Sequence, residues 1–376
     1  MKYFFYYLLL SLISIKIFVF ANIEGEEMFP NNENFNVFKY SEQFENKTLI
    51  IYKLTDYVLN DLLGKNVKNQ IVNKNKLSDF LVKLAKEYNS NSYPEINPYH
   101  NLFHATEVVQ NIYIYLSKSK KNLPLLFTDT YVKKNEELEF ISNIKYNDLD
   151  IFALIISAAC HDFKHTGRDN NFYLTYKDKV PFAKILKDYE YKLEYYHFAE
   201  VKKLMESMDL LEALNKYQKE RFYKIMKLVI YGTDNSLNKK HAEDMKLYKD
   251  IIKSNDIKLN NQTMDDIKLM IFDCFLHGAD ISGSTKNFDY FITWADKVLI
   301  EFCEQSKEVH SLDETKQINC VGNDDKKFRE NELSFFDNVV NIFFEPFCEV
   351  FEYLNYLCIH HEYNKKYLLE NEVIHK

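Results

Sequence analysis

Three short stretches of this 376-residue chain gather side chains able to hold a divalent cation and to move protons. The first, Tyr99-His100-Asn101-Leu102-Phe103-His104-Ala105, sets two histidines four apart at the expected start of a helix. The second, His161-Asp162-Phe163-Lys164-His165, follows the apolar run Ile151–Cys160 and repeats that spacing. Residues i and i+4 share a helix face, so His161 and His165 are expected to look the same way. The third, His277-Gly278-Ala279-Asp280-Ile281-Ser282, ends another apolar stretch in a carboxylate. A buried Asp without a cation or donors is costly. Neutral imidazole beside carboxylate suits a borderline or hard divalent ion. A histidine pair serves acid–base work equally well. The residues by themselves leave both roles open for His100 and His104.

Such a cluster needs long elements to bring distant positions together, and the composition supplies them. Hydrophobic residues make up 46% of the chain, with only 7 Gly and 6 Pro, which disfavours turn-rich β architecture. Apolar residues recur at three and four, as in Leu54, Val58, Leu62 and then Leu77, Phe80, Leu81, Leu84. The fold class expected is all-α, a compact multi-helix bundle. Helices are expected over 99–116, 149–161, 180–206, 209–231, 263–280 and 287–305, with a final pair over about 332–372. Asn91 to Pro98 reads as a loop, Lys118 to Asn147 as a surface excursion, and Glu304 to Glu330 as a mobile polar loop. Residues 1–22 form a hydrophobic membrane anchor or signal-like segment, and 23–48 a polar linker. A single folded domain then spans 49–376. The net charge of −8 gives no field for attracting nucleic acid. Six scattered cysteines, none in a CxxC pair, read as reduced, packed thiols of a cytosolic protein.

Taken in order, the motifs resemble those of the class I 3′,5′-cyclic nucleotide phosphodiesterases, all-α members of the HD hydrolase superfamily. The Y-H-N-x-x-H-A element stands at 99–105, H-D-x-x-H with a downstream Asn at 161–165 and Asn170, and H-x-A-D-[LI]-S at 277–282. Thr233-Asp234, Glu194-x-x-His197 and Leu333-Ser334-Phe335 complete the likeness, which covers residues 50 to 370. The resemblance implies that His104, His161, Asp162 and Asp280 hold Zn²⁺, with Asp162 shared by a second ion, Mg²⁺ or Mn²⁺. It implies that His165, Glu194 and Thr233 orient the waters around those ions. It makes His100 the general acid for the O3′ leaving group, a function worth roughly 10²–10⁴-fold. Tyr99, Val298, Glu332 and Phe335 would contact the substrate, a small-molecule cyclic nucleotide, and the product would be a nucleoside 5′-monophosphate. Two other readings accompany it: another HD-superfamily phosphohydrolase, and an inactive cyclic-nucleotide sensor.

Two expectations go further. The substrate class and the thiols point to a catalytic domain in the cytosol. The hydrophobic segment 1–22 resembles those before the catalytic domain in phosphodiesterases of some unicellular parasites, which implies a membrane-associated enzyme, with oligomeric state open. Family members hydrogen-bond the purine edge with a Gln three residues before the clamping Phe, where this chain carries Glu332. A carboxylate offers acceptors only, which meets the two-donor edge of guanine and mismatches adenine N1. Cyclic GMP is therefore expected to be preferred over cyclic AMP. A protonated Glu332 would instead mimic Gln and discriminate little.

Overall fold

The computed structural model describes residues 28–90, 97–122, 146–253 and 261–371, and every regular element among them is helical. In chain order these are α1 (Val37–Glu42), α2 (Ile50–Leu63), α3 (Lys65–Ile71), α4 (Lys74–Ser90), α5 (Leu102–Asn122), α6 (Asp148–Cys160), α7 (Asn170–Thr175) and α8 (Pro181–Leu186). They continue with α9 (Leu193–Ser207), α10 (Lys216–Tyr231), α11 (Asn238–Lys253), α12 (Asn261–Asp280), α13 (Phe288–Leu312), α14 (Asp325–Phe335), α15 (Asn341–Val350) and α16 (Tyr356–Glu370). The all-α expectation holds.

The centre of the bundle is α6. Asn147 caps its start by accepting from the Asp150 amide at 2.8 Å, and every residue from Asp150 to Cys160 is buried. A helix apolar on all sides must be surrounded, and α2, α5 and α10 pack around it. Its C-terminal end, where the helix dipole is negative, delivers His161 and Asp162. The equally buried C-terminal half of α12 delivers Asp280 the same way. Between them, α5 is registered against the segment after α12 by a buried ion pair, Lys286 Nζ to Glu107 Oε1 at 2.7 Å. Lys286 also donates to Asn111 Oδ1 at 2.6 Å. Two separate helices thereby meet at a fixed height.

Several local expectations give way. His165 does not continue the helix of His161: α6 ends at Cys160, and Lys164 turns the chain through left-handed backbone at φ 64°. Helix 180–206 is broken because Glu190 and Tyr191, at φ 57° and 59°, reverse the chain between α8 and α9. Helix 209–231 starts later, at Lys216, where Asn215 and Gln218 form a reciprocal capping box. The polar loop 304–330 is largely ordered, since α13 runs on to Leu312 and α14 begins at Asp325. The expected linker is packed from Phe35 onward. Phe35 and Val37 are fully buried, and the Val37 amide donates to Tyr290 Oη at 3.0 Å.

The cysteines are the clearest correction. Cys303 pairs with Cys320 and Cys348 with Cys358 in disulfides, leaving Cys160 and Cys274 as buried free thiols. Spacings of 17 and 10 residues carry no recognisable pattern, so only the packing of α13 on its following loop, and of α15 on α16, joins them. No helix among the described residues is long and apolar enough to cross a membrane. The hydrophobic stretch 1–22 lies outside the described residues.

Candidate active site

Four side chains converge where α5, α6 and α12 meet. One ligand atom from each of His104, His161, Asp162 and Asp280 lies within 4.8 Å of the other three. His104 Nε2 sits 2.8 Å from Asp280 Oδ1, and His161 Nε2 sits 3.2 Å from the same oxygen. The two Nε2 atoms stand 3.3 Å apart. His161 Nδ1 donates to the Ala158 carbonyl at 2.9 Å, which turns the Nε2 lone pair of the neutral ring inward. Asp162 Oδ2 makes no hydrogen bond, although it lies 3.2 Å from His161 Nε2 and 3.5 Å from His104 Nε2.

Burial works against any charge on His161, yet the Asp162 and Asp280 carboxylates raise its pKa well above the usual imidazole value. Burial likewise opposes ionisation of both carboxylates, but the His161 charge holds Asp162 and Asp280 well below their usual range. The cluster thus demands positive charge at its centre. A proton shared among these groups meets that demand poorly, because it leaves Asp162 Oδ2 an orphan. Two imidazole nitrogens and two carboxylate oxygens around one point fit a divalent cation. The residues present fit the metal that the motifs imply.

Beside this cluster stands a proton-handling pair. His100 lies just before α5, which Asn101 caps by accepting from the Phe103 amide at 2.8 Å. His100 Nδ1 donates to Glu301 Oε1, while Glu301 Oε2 accepts the Tyr99 and His100 amides at 3.2 and 3.1 Å. Burial alone would lower the His100 pKa, but the Glu301 carboxylate raises it to about 9. Glu301 itself, despite burial, is held down to about 2 by His100. Nothing in the sequence marked Glu301: it is one acidic residue on α13, about 200 positions from its partner, with no motif around it.

His165 stacks on His100 with ring centroids 3.9 Å apart. Burial and the neighbouring His100 cation push His165 down to about 3, so it stays neutral. Asp162, His165 and His197 form a second group whose ligand atoms converge. His197 donates through Nδ1 to the Phe163 carbonyl at 2.7 Å, and burial lowers it to about 4. The sequence motif contained His197 without a role; the structure gives it a place beside Asp162. Glu194 accepts from Asn170 Nδ2 at 3.0 Å, and burial followed by Asp234 pushes its pKa up to about 7. The Thr233 hydroxyl donates to the Ile230 carbonyl at 2.8 Å.

Most of these groups open into one cleft of about 620 Å³, whose walls include Tyr99, His100, Asp162, His165, Glu194, Thr233 and Asp280. Its far end is a slot with Val298 and Phe335, both half-buried, and with Phe291 and Trp294 of α13. Glu332 lines that end, is buried at 5% exposure, and has its pKa pushed up to about 8 by burial and then by Asp296. The structure brings the site residues implied by the resemblance into one cavity or into the candidate metal cluster at its edge, and adds Glu301. It leaves His277 outside both, with Nδ1 3.1 Å from the Gly232 carbonyl.

The likeness reaches well beyond these residues. A probable 3′,5′-cyclic-AMP phosphodiesterase of Caenorhabditis elegans is 24% identical over 322 residues, 84% of this chain and 42% of that protein. A cGMP-specific 3′,5′-cGMP phosphodiesterase of Dictyostelium discoideum is 26% identical over 238 residues, 62% of this chain and 43% of that protein. The chain thus spans less than half the length of these curated relatives. The phosphodiesterase domain of Salpingoeca rosetta rhodopsin phosphodiesterase shares the fold, with a TM-score of 0.68 at 18% identity, covering 90% of this chain and 92% of that one. The 3′5′-cyclic nucleotide phosphodiesterase family description matches residues 99–361, from the Tyr99-His100 motif to the last helix. On that match, the chain belongs to the 3′,5′-cyclic nucleotide phosphodiesterase family.

Proposed function

We propose that this chain hydrolyses 3′,5′-cyclic nucleotides to nucleoside 5′-monophosphates, with Zn²⁺ held by His104, His161, Asp162 and Asp280 and with Mg²⁺ or Mn²⁺ at a second site that shares Asp162. The observation that carries the reading is the hydrogen-bonded His100–Glu301 pair standing beside four converging candidate metal-ligand atoms. Bound divalent ions neutralise an anionic phosphodiester and make water a nucleophile near neutral pH. His100 supplies the complementary half of the reaction. Its imidazolium donates a proton to O3′ as the P–O3′ bond breaks, so that no free alkoxide has to leave. Glu301 keeps that proton on His100 and orients the ring through Nδ1, leaving Nε2–H for the substrate. His165, Glu194 and Thr233 present polar groups to the waters on the Asp162 side.

The purine enters the slot between Val298 and Phe335, beside Tyr99, and Glu332 reads its edge. Below about 8 the buried Glu332 carboxyl is protonated and offers one donor and one acceptor, as an amide does. Above that value it offers acceptors only, which suits guanine. The preference for cyclic GMP over cyclic AMP is thus proposed to grow with pH. Membrane attachment through residues 1–22, with the catalytic domain facing the cytosol, rests on that hydrophobic stretch and on where the substrate is made. The two disulfides weigh toward an oxidising compartment instead. Thiol trapping and protease protection on intact cells separate the two faces.

The test is hydrolysis of cyclic AMP and cyclic GMP with added Mg²⁺ or Mn²⁺, alongside a linear phosphodiester. His100→Ala should retain both metals by elemental analysis and lose most turnover. Loss of zinc from that variant would exchange the roles of His100 and His104, and a wild type inert on both cyclic nucleotides would leave a sensor.

A further inference from the structure

A second buried polar cluster lies behind the cleft wall, where α10 ends. Gly232 closes α10 with ordinary helical backbone, φ −68° and ψ −14°, so no conformational reason calls for glycine there. The reason is space. A Cβ at Gly232 would lie 1.7 Å from Asp273 Oδ1 of α12, a contact no real side chain makes. That approach brings Asp273 to a place where it has little to do by itself. Its carboxyl is buried, and Oδ1 makes no hydrogen bond. Close by stands His241 of α11, whose Nδ1 is 3.7 Å from Asp273 Oδ2.

His241 completes the geometry. It is 1% exposed, and its Nε2 lies 2.9 Å from the Gly232 carbonyl. A carbonyl accepts only, so the proton sits on Nε2 and Nδ1 presents a lone pair, which has no partner of its own. A lone pair 3.7 Å from a carboxyl oxygen needs that oxygen to carry a proton. Burial, which outweighs the nearby Lys240 and adds to the effect of Asp244, pushes the Asp273 carboxyl up to about 8. Lys240 is itself engaged with Asp244. A small closing movement then gives one directed chain: Asp273 O–H to His241 Nδ1, and His241 Nε2–H to the Gly232 carbonyl. His277 reaches the same carbonyl through Nδ1 at 3.1 Å. The next two residues are Thr233 and Asp234, both on the cleft wall.

We propose that Asp273 and His241 are positioning residues for the phosphodiesterase reaction: together they hold the Gly232 carbonyl, and through it the Thr233–Asp234 segment, at the wall of the cleft. The proposal rests on the functional reading given above, because Thr233 matters only if waters and ions are ordered there. Neither residue touches the substrate. Their effect is on the height of the wall, and displacement of a positioning group costs up to about 100-fold in rate.

The experiment uses the full chain with Mn²⁺ and a cyclic nucleotide, reading kcat, KM, half-saturating Mn²⁺ and Tm for each variant. Asp273→Leu keeps the branched shape, though with bulkier methyl groups, and removes the donor. It should lower kcat by about 10- to 100-fold and raise half-saturating Mn²⁺, with KM for the nucleotide changed less than about threefold. Asp273→Asn restores an N–H toward His241 Nδ1 and should recover most of that loss. If Asp273→Leu does not fold, His241→Gln, which can still donate to the Gly232 carbonyl, and His241→Leu, which cannot, are compared for the same split. Equal kcat in the donor-keeping and donor-lacking variants overturns the proposal, as does a lowered Tm with kcat and Mn²⁺ dependence unmoved. A wild type that hydrolyses no cyclic nucleotide overturns the functional reading and this one with it; an active wild type matched by Asp273→Leu overturns the positioning role alone.

Discussion

Glu301→Gln isolates what the carboxylate does for His100. In the native site Glu301 accepts three hydrogen bonds, two from the Tyr99 and His100 amides and one from His100 Nδ1. The amide of Gln has one acceptor oxygen. If that oxygen keeps the two backbone amides, its NH₂ faces Nδ1 and drives the proton off that nitrogen. The rise from 6.5 to about 9 is net of burial, which acts the other way. Removing the largest of the influences that raise it, while burial remains, is expected to bring His100 back toward 6.5, a change of up to about 3 kcal/mol in favour of the neutral ring. The sign is fixed by the role: a general acid works in its protonated form, so activity is present below the site's pKa and is lost as pH rises through it. At pH 8 the protonated fraction falls from about 0.9 to about 0.03, a loss of about 30-fold in kcat, whereas at pH 6 the loss is under about twofold. Bound cations lower both pKa values together, so the informative quantity is the displacement between the two pH–kcat profiles. A uniform loss at all pH, or an alkaline limb that does not move, would refute the assignment of Glu301 as the group that keeps the acid charged.

Three further outcomes follow from the structure. Asp280→Ala should lose tightly bound zinc, since it removes the oxygen 2.8 Å from His104 Nε2, and stoichiometric zinc in the purified variant would remove it from the ligand set. The ratio of kcat/KM for cyclic GMP over cyclic AMP should climb as pH rises through about 8 and should be flat in Glu332→Gln; parallel profiles in the two proteins would show that Glu332 does not read the base. Reducing Cys303–Cys320, which closes a 17-residue separation, should cost about 3 kcal/mol of unfolding free energy, and an identical urea midpoint with and without dithiothreitol would contradict a formed bond.

The candidate ligand cluster was readable because its members carry local signals: histidines four apart, and carboxylates at the ends of apolar runs. The reason they converge was partly readable too, since a helix buried on every side, as α6 is, must end inside the protein. His165 shows the limit of periodicity. Its spacing from His161 suggested one helix face, but Lys164 takes left-handed backbone and the two histidines join different groups. Glu301, Asp273 and the cysteine pairs escaped for a different reason. Each depends on a partner that no local pattern points to, about 200 positions away for Glu301 and His100 but only 17 and 10 for the cysteines, and a single sequence does not record such pairs. The polar tail of α13 was misjudged because charged residues on a solvated helix face look like loop when tertiary partners such as Arg168, bonded to Glu308 at 2.7 Å, are unknown.

Helix α13 carries Phe291, Trp294 and Val298 at the slot proposed for the purine and, one turn on, Glu301 bonded to His100, the proposed general acid. On the proposed roles, one continuous helix would serve both recognition and proton supply. Reciprocity of coupled equilibria then applies. A ligand wedged against Val298 that displaces α13 alters how firmly Glu301 holds the His100 proton, and protonation of His100 must alter the affinity of that ligand by the same factor. Inhibitors occupying only the apolar slot, with no titrating atom of their own, inherit a pH dependence from the enzyme. Their selectivity measured at one pH will not carry over to a compartment held at another.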